Sequence, residues 1–425
     1  MLPLTSVGAC HVINIRQFGQ RTFASFSVRN YRLYFIGQSV SMCGNWMQII
    51  AQDLLVLDLT GSGTQLGLVT ALQTLPILLF GSFAGVLIDR FPKRTILYIT
   101  QSLSGILALI MGTLVATDTI EMWMLYIVAT CLGFVTMVDN PTRQNFVHEM
   151  VGRDLLANAV SLNSTEINMA RVIGPSIAGA LVSLVGLSVC FFINGFSYIG
   201  VLIMLRMIDE KELHLTTLAG RAKGQLVAGF RYVRSMRTLW VPLLMMTIVG
   251  MLSYEFRVVL PMFATFTFDG HAGAYAALTA AMGLGAVIGG GYTAGRRRAD
   301  MRILVYSAGL FGVSILFAAI APNMPVALVA MVIVGFFSVN FTSLGNTTLQ
   351  LSAAPEMRGR VMALWTVAFM GSTPIGGPII GTIGEVTSPR WSLAVGSVAA
   401  IVAAGIGWIV IRKLPKPEPQ LDAAA

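Results

Sequence analysis

Charge is scarce in this chain. Asp, Glu, Lys and Arg make up 11% of its 425 residues, against roughly 25% in an average soluble protein. So few charges cannot coat a soluble protein of this length, but they suffice where lipid is the main solvent. Cysteine is scarce too. Cys10, Cys43, Cys131 and Cys190 show neither paired spacing nor nearby histidines. That excludes a disulfide scaffold, a redox pair and a zinc site, and the three cysteines in apolar stretches are expected to be packing thiols. The four histidines, His11, His148, His214 and His271, are dispersed and form no metal set. No Walker sequence occurs, so ATP is not expected to be the direct energy source. The glycines from Gly283 to Gly291 sit inside an apolar run with no following Lys-Ser/Thr, which excludes a phosphate loop. No Ser-His-Asp constellation is legible, so the chain is not expected to be an enzyme, and no cofactor is expected.

What is present is apolar. Hydrophobic residues reach 55%, with 43 glycines and 23 methionines. Twelve apolar segments of membrane-spanning length can be delimited, each about twenty residues long. They cover 34–57, 66–88, 96–115, 122–138, 159–185 and 187–205, then 240–263, 275–294, 303–321, 326–349, 361–383 and 391–411. The fourth is short and open to extension past Asp139. The spacing predicts an all-α polytopic membrane protein with a cytoplasmic arm over 1–33, a six-helix bundle over 34–208, a cytoplasmic linker over 209–237, a second bundle over 238–412 and a cytoplasmic tail over 413–425. No signal peptide is expected, because about thirty mixed residues precede the first apolar run.

The net charge is +9, and location decides what it means. With an inward amino terminus, the outer loops hold Asp58, Asp118, Glu121, Asp269 and Glu385, with Arg390 their only base. Arg171 and Arg257 fall inside spans, and every other Lys and Arg lies on or beside the inner face. This follows the positive-inside rule with one exception and predicts a multi-pass membrane protein with both termini inside. Nucleic acid is not expected as a partner, since no separate domain carries the basic residues. In the linker, apolar Leu226, Val227, Phe230, Val233 and Met236 alternate with Arg231, Arg234 and Arg237. Two readings stand: a helix on the anionic inner leaflet, or a solvated helix tying the bundles.

The halves look duplicated. Lys93-Arg94-Thr95-Ile96-Leu97-Tyr98 matches Met301-Arg302-Ile303-Leu304-Val305-Tyr306. Asn140-Pro141-Thr142-Arg143-Gln144 matches Asn346-Thr347-Thr348-Leu349-Gln350, and Glu149-Met150-Val151-Gly152-Arg153 matches Glu356-Met357-Arg358-Gly359-Arg360. The three offsets are nearly equal, as a repeated six-span unit requires. Such repeats usually enclose a midplane substrate site.

Between spans two and three stands Gly85-Val86-Leu87-Ile88-Asp89-Arg90-Phe91-Pro92-Lys93-Arg94. It resembles the major facilitator signature loop, Gly-x-Leu-x-Asp-Arg-x-Gly-Arg-Lys, with Pro92 in place of the usual Gly. Asn30-Tyr31-Arg32-Leu33-Tyr34, Leu59-Thr60-Gly61-Ser62, Asp139-Asn140-Pro141-Thr142-Arg143-Gln144 and Arg358-Gly359-Arg360-Val361-Met362 are similar to the drug and siderophore exporter branch, near the enterobactin-exporter and macrolide-efflux groups. The resemblance implies a major facilitator fold, a place in the bacterial cytoplasmic membrane and proton-coupled export of hydrophobic or amphipathic small molecules. Lipids, a small-molecule substrate and protons would be the partners, and a monomer the working unit. A lysophospholipid flippase and a solute importer are the alternatives on the same fold.

It also implies roles for residues. Asp89 is expected to meet the amino terminus of span eleven when the inner gate closes, where a helix dipole favours an anion. Arg90 and Arg143 would form a local charge relay, with Gly85, Lys93 and Arg94 completing the gating loop. Gly174-Pro175-Ser176-Ile177-Ala178-Gly179 resembles the antiporter motif Gly-Pro-x-x-Gly-Gly, with Ala178 at one Gly position. It and the glycines of spans eight and eleven are expected either to let the halves rock or simply to pack helices closely.

Five intramembrane charges need protein partners: Asp53, Glu166, Arg171, Glu255 and Arg257. Glu166 and Arg171 lie about 140° apart around a helix, and Glu255 and Arg257 also diverge. Each needs a partner from another helix or the cavity; in the fold that the resemblance implies, spans one and seven both line the central cavity, so Asp53 is expected to pair with Arg257 as a structural tie. A proton antiporter needs a carboxylate reachable alternately from each side. Glu255 is ranked first for that role, Glu166 second and Asp53 third.

Overall fold

A computed structural model describes residues 23–214, 225–294 and 300–412. Among them every regular element is helical. The first six spans are α1 (Arg29–Thr60), α2 (Gly63–Arg90), α3 (Lys93–Ala116), α4 (Met122–Val151), α5 (Leu156–Val185) and α6 (Leu187–Met207). The linker helix α7 (Gln225–Ser235) follows. Span seven consists of α8 (Arg237–Leu252) and α9 (Phe256–Met262), the latter ending in a π-helical turn, Phe263–Thr267. Then come α10 (Ala272–Ala294), α11 (Met301–Ala319) and α12 (Met324–Ser352). Span eleven consists of α13 (Arg358–Met370) and α14 (Thr373–Val386), and α15 (Pro389–Arg412) closes the bundle.

Local chemistry sets these limits. Gly61, at φ 62, ends α1 in a left-handed conformation, and the Ser62 hydroxyl accepts the Gln65 N–H to open α2. The α6 helix can begin at once after α5 because Gly186 takes φ 92. Asp300 and Asn323 cap α11 and α12 in the same way as Ser62. Lys93 and Met301, equivalent in the internal repeat, each form the first turn of a helix. The fourth span runs well past Asp139, to Val151, with Pro141 accommodated inside it.

Eleven of the described segments are long and apolar enough to cross a membrane. The twelfth span, α1, carries Asn45, Gln48, Gln52 and Asp53 in its middle. Its polar groups turn inward. The Asn194 amide donates to Gln48 at 2.7 Å, and the Tyr198 hydroxyl donates to Asn45 at 3.0 Å. These bonds tie α1 to α6. Elsewhere large apolar side chains such as Ile99, Ile106, Val313 and Val398 face outward, a surface matched to lipid.

The first six helices pack chiefly on one another, α1 against α5 and α6, α2 against α4, and α3 against α4 and α6. In the second set α10 packs on α12, α11 on α12 and α15, and α8 on α15 and α13. Two long seams join the sets, α2 with α14 and α5 with α10, while α2 touches α13 only lightly. The bundle therefore has a closed end, at the α1–α2 and α14–α15 turns. At its other end, where α7 lies, the halves are apart. The α7 helix is fastened to the second set. Val233 is buried, and the Tyr232 hydroxyl accepts the Ala354 N–H at 3.1 Å. Arg231, Arg234 and Phe230 remain exposed.

Candidate functional site

Spans seven and eleven both break near the membrane midplane, and they break against each other. The α8 helix stops at Leu252, and Glu255 takes a non-helical ψ of 39 before α9 begins. The Ser253 hydroxyl compensates by donating to the Gly396 carbonyl of α15 at 2.6 Å. Span eleven breaks at Gly371 and Ser372, just before Thr373-Pro374, where proline disfavours a helical predecessor. Gly250 permits the crossing, since a Cβ there would lie 2.9 Å from the Ser372 hydroxyl. Glu255 is 3% exposed and faces Thr373 at the amino terminus of α14, and its Oε1 has no hydrogen-bond partner. The sequence ranked Glu255 as though span seven were one continuous helix. The break puts it instead at a junction of helix ends.

Asp53 and Arg257 lie together as the core of a tie between the halves. Arg257 Nη2 donates to Asp53 Oδ1 at 2.9 Å, and its Nη1 donates to Gln73 Oε1 of α2, also at 2.9 Å. The Tyr275 hydroxyl of α10 donates to Asp53 Oδ2 at 2.8 Å. Asp53 is 0% exposed. Two helices of each half thus join in one cluster around the Asp53–Arg257 pair. Gln73 and Tyr275 gave no signal in the sequence, because neither is charged.

Nearer the closed end, the Glu385 carboxylate accepts the Ser62 hydroxyl at 2.6 Å and the Thr64 N–H at 2.9 Å. It occupies the amino terminus of α2, a position that favours an anion. Backbones touch along the same seam. A Cβ on Gly67 would overlap the Gly377 main chain, and Gly63 sits likewise against Gly381. On the second seam a Cβ on Gly179 would lie 2.6 Å from Ala276. The small residues therefore divide. Gly174, beside Pro175, serves packing within the first half, where a Cβ would lie 2.5 Å from that of Trp46. Gly283 faces α5, whereas Gly285 and Gly289 face Val332 and Phe336 of their own half.

Between the halves is a cavity of about 630 Å³. Its walls come from Trp46 of α1, Asn168 and Arg171 of α5, Tyr254 and Arg257 of span seven, Tyr275 and Thr279 of α10, Thr342 and Asn346 of α12, and Trp365 and Phe369 of α13. The lining residues of α12 lie in its second half, toward the linker end, whereas those of α5 lie near its middle and those of α13 near the break of span eleven. The cavity therefore reaches toward the linker end and stops at the Asp53–Arg257 tie. Arg171 stacks over Trp46 with its guanidinium 5.2 Å from the ring centroid.

The remaining charged residues are placed elsewhere. Glu166 is buried in the first half and accepts the Ser39 hydroxyl at 2.9 Å. Arg143 is engaged by Asp139, one turn earlier on α4, at 2.7 Å. Lys93 pairs with Glu149 at 3.0 Å and Arg94 with Glu210 at 2.5 Å. Gly85 and exposed Arg90 lie in the last turns of α2, and the Asp89 side chain lies outside the described residues. So Arg143, Lys93 and Arg94 have carboxylate partners other than Asp89. The Asp139–Arg143 spacing of one helical turn was visible in the sequence and is the signal that reading missed. Arg390, the exceptional base at the closed end, donates to the Ala319 carbonyl at 2.7 Å and lies over Phe263 and Phe268. It satisfies the last turn of α11.

The model of a family described as transmembrane secretion effector matches residues 20–424. The staphyloferrin A transporter of Staphylococcus aureus is 22% identical, over 90% of this chain and 96% of its own. The multidrug efflux pump Tap of Mycolicibacterium fortuitum is 25% identical, over 80% and 86%. The enterobactin exporter EntS of Shigella flexneri is 24% identical, over 90% of each. Among solved structures, a bacterial homologue of the human lysosomal transporter Spinster, inward-facing and unoccupied, superposes with a TM-score of 0.70 at 15% identity, covering 90% of this chain and 96% of that one. The nucleoside transporter NupG gives a TM-score of 0.70 at 12% identity, covering 90% and 99%. These likenesses show the fold.

Proposed function

The chain belongs to the transmembrane secretion effector family of major facilitators, membrane transporters rather than enzymes, and from that premise we propose that it exports amphipathic small molecules by proton antiport with alternating access. The observation that carries this reading is the cavity between the halves, sealed at one end by paired glycines and a buried ion pair and reaching toward the other. Its volume falls within the range of pockets that hold drug-sized ligands. The siderophore and drug exporters among its relatives favour the outward direction of transport.

The linker end is the cytoplasmic end, and the membrane is the bacterial cytoplasmic membrane. Charge asymmetry supports this, and Arg390, its one exception, is engaged in capping α11. Both termini lie inside. A single chain supplies both walls of the cavity, which supports a monomeric working unit.

Export then runs from an inward-open state, in which substrate enters between α5, α12 and α13, to a state in which the Asp53–Arg257 tie and the glycine seam have parted. Closing the inner end brings Asp89 and the signature loop toward α13. Glu255 is the proton carrier, because it is buried at a junction of two broken helices and one of its oxygens is unpartnered. Repacking of either break alters its surroundings.

A panel of dyes and drugs tests the reading in cells with and without the protein, and with and without an uncoupler. Expressing cells should retain less of at least one compound, and the uncoupler should abolish the difference. Greater retention on expression would indicate import, and a difference that survives the uncoupler would exclude proton coupling.

A further inference from the structure

The cavity wall has an unbalanced charge. Two guanidiniums reach it, Arg171 and Arg257, and none of its lining residues is Asp or Glu. Arg257 is neutralised by Asp53. Arg171 forms no ion pair among the described residues, and its Nε has no hydrogen-bond partner. The nearest intramembrane carboxylate in sequence, Glu166, is held by Ser39 away from the cavity lining. An uncompensated cation in a membrane span is costly and marks a place where charge is handled. Structural stacking alone does not account for it. The Trp46 ring takes one face of the guanidinium, and a ring quadrupole offsets only a small part of the desolvation of a full charge.

The rest of the wall is built around that cation. Gly174 brings α5 so close to α1 that Trp46 is pressed against the Arg171 side of the helix. Tyr254, Trp365 and Phe369 add an aromatic surface, and Thr342, Ser343 and Asn346 add neutral hydrogen-bonding groups. We infer that the cavity selects amphipathic organic anions, with Arg171 binding the acid group and the aromatic wall binding the apolar body. Arg171 is thus a specificity-determining residue. The inference rests on the transport reading for its physiological sense, but it concerns binding and is tested by binding.

A matched pair of permanently charged probes makes the test: 1-pyrenesulfonate and (1-pyrenyl)methyltrimethylammonium. They share an aromatic body, differ in sign and do not titrate. The purified full chain in lipid nanodiscs carries Trp46 and Trp365 at the cavity, so binding is read as energy transfer from tryptophan to pyrene. The wild-type protein should prefer the sulfonate by about tenfold or more, the scale of one charge-assisted hydrogen bond. Arg171→Gln should abolish the preference, and Arg171→Lys should keep most of it. Thermal unfolding of each variant checks the fold. Equal affinity of the wild-type protein for both probes would overturn the inference, as would a preference unchanged in Arg171→Gln. Sulfonate-selective binding without energy-dependent export from cells would leave the anion site standing and remove the exporter reading. Export confined to cations would do the reverse.

Discussion

Replacing Asp53 by Asn should loosen the closed end of the bundle. The carboxylate, on the first half, accepts from Arg257 and Tyr275, both on the second. Asparagine keeps the size and one acceptor but leaves the Arg257 charge unmatched. Removing one partner of a fully buried ion pair costs about 3–5 kcal/mol. Here Arg257 also bonds Gln73, and its side chain is 28% exposed toward the cavity. The expected cost is therefore lower, about 2–3 kcal/mol, or a factor of about 30 to 150 in an equilibrium constant. That cost falls on the state in which the halves meet at this end, so the conformer open there gains population. Spin labels on Glu121→Cys and Ser388→Cys, in a cysteine-free variant, report the separation of the halves across this end. In Asp53→Asn the long-distance population should rise and the unfolding temperature fall. Adding Arg257→Gln should restore part of both, since the orphaned charge is gone. An unchanged distance distribution together with an unchanged unfolding temperature would refute the tie.

Gly67→Val should prevent closure of the same end, because even a Cβ there overlaps the Gly377 backbone. Transport should fall strongly while the protein still reaches the membrane, and normal transport would show that the seam tolerates separation. Arg390→Ala should cost about 1 kcal/mol by freeing the Ala319 carbonyl, seen as a small fall in unfolding temperature. A rearranged topology in that variant would mean that the residue matters for orientation instead. In a cysteine-free variant, Asp118→Cys and His271→Cys should react with an impermeant thiol reagent from outside cells and Arg221→Cys should not; the opposite pattern would invert the proposed orientation.

Much of the architecture was legible because lipid imposes a length on apolar segments and charge marks their ends. The Asp53–Arg257 pairing was legible too, since a buried charge demands a partner and the fold implied by the signature loop sets spans one and seven side by side. The breaks were less so. Gly371 and Pro374 announce the one in span eleven, yet nothing between Ser253 and Glu255 is a helix breaker by itself. That break is stabilised by tertiary groups, the Gly396 carbonyl among them. The pairing of Gly63 with Gly381 and of Gly67 with Gly377 was out of reach for a similar reason. A glycine tells that something comes close, and only the fold tells what. Glu385 looked like an outer-loop acid because its use, occupying the amino terminus of α2, depends on a helix from the other half.

Proton-driven transport in sealed vesicles tests the central claim most directly. Proteoliposomes with the linker end facing outward are given an acidic lumen, and a fluorescent compound identified by the cell panel is added outside. Wild-type protein should accumulate it in the lumen above the external concentration, and nigericin should stop the accumulation. Glu255→Gln should abolish that uphill step yet still exchange the compound down its own gradient, because Gln imitates the protonated acid. Uphill accumulation that persists in Glu255→Gln would remove that residue from coupling. Accumulation indifferent to nigericin in the wild-type protein would contradict proton antiport itself.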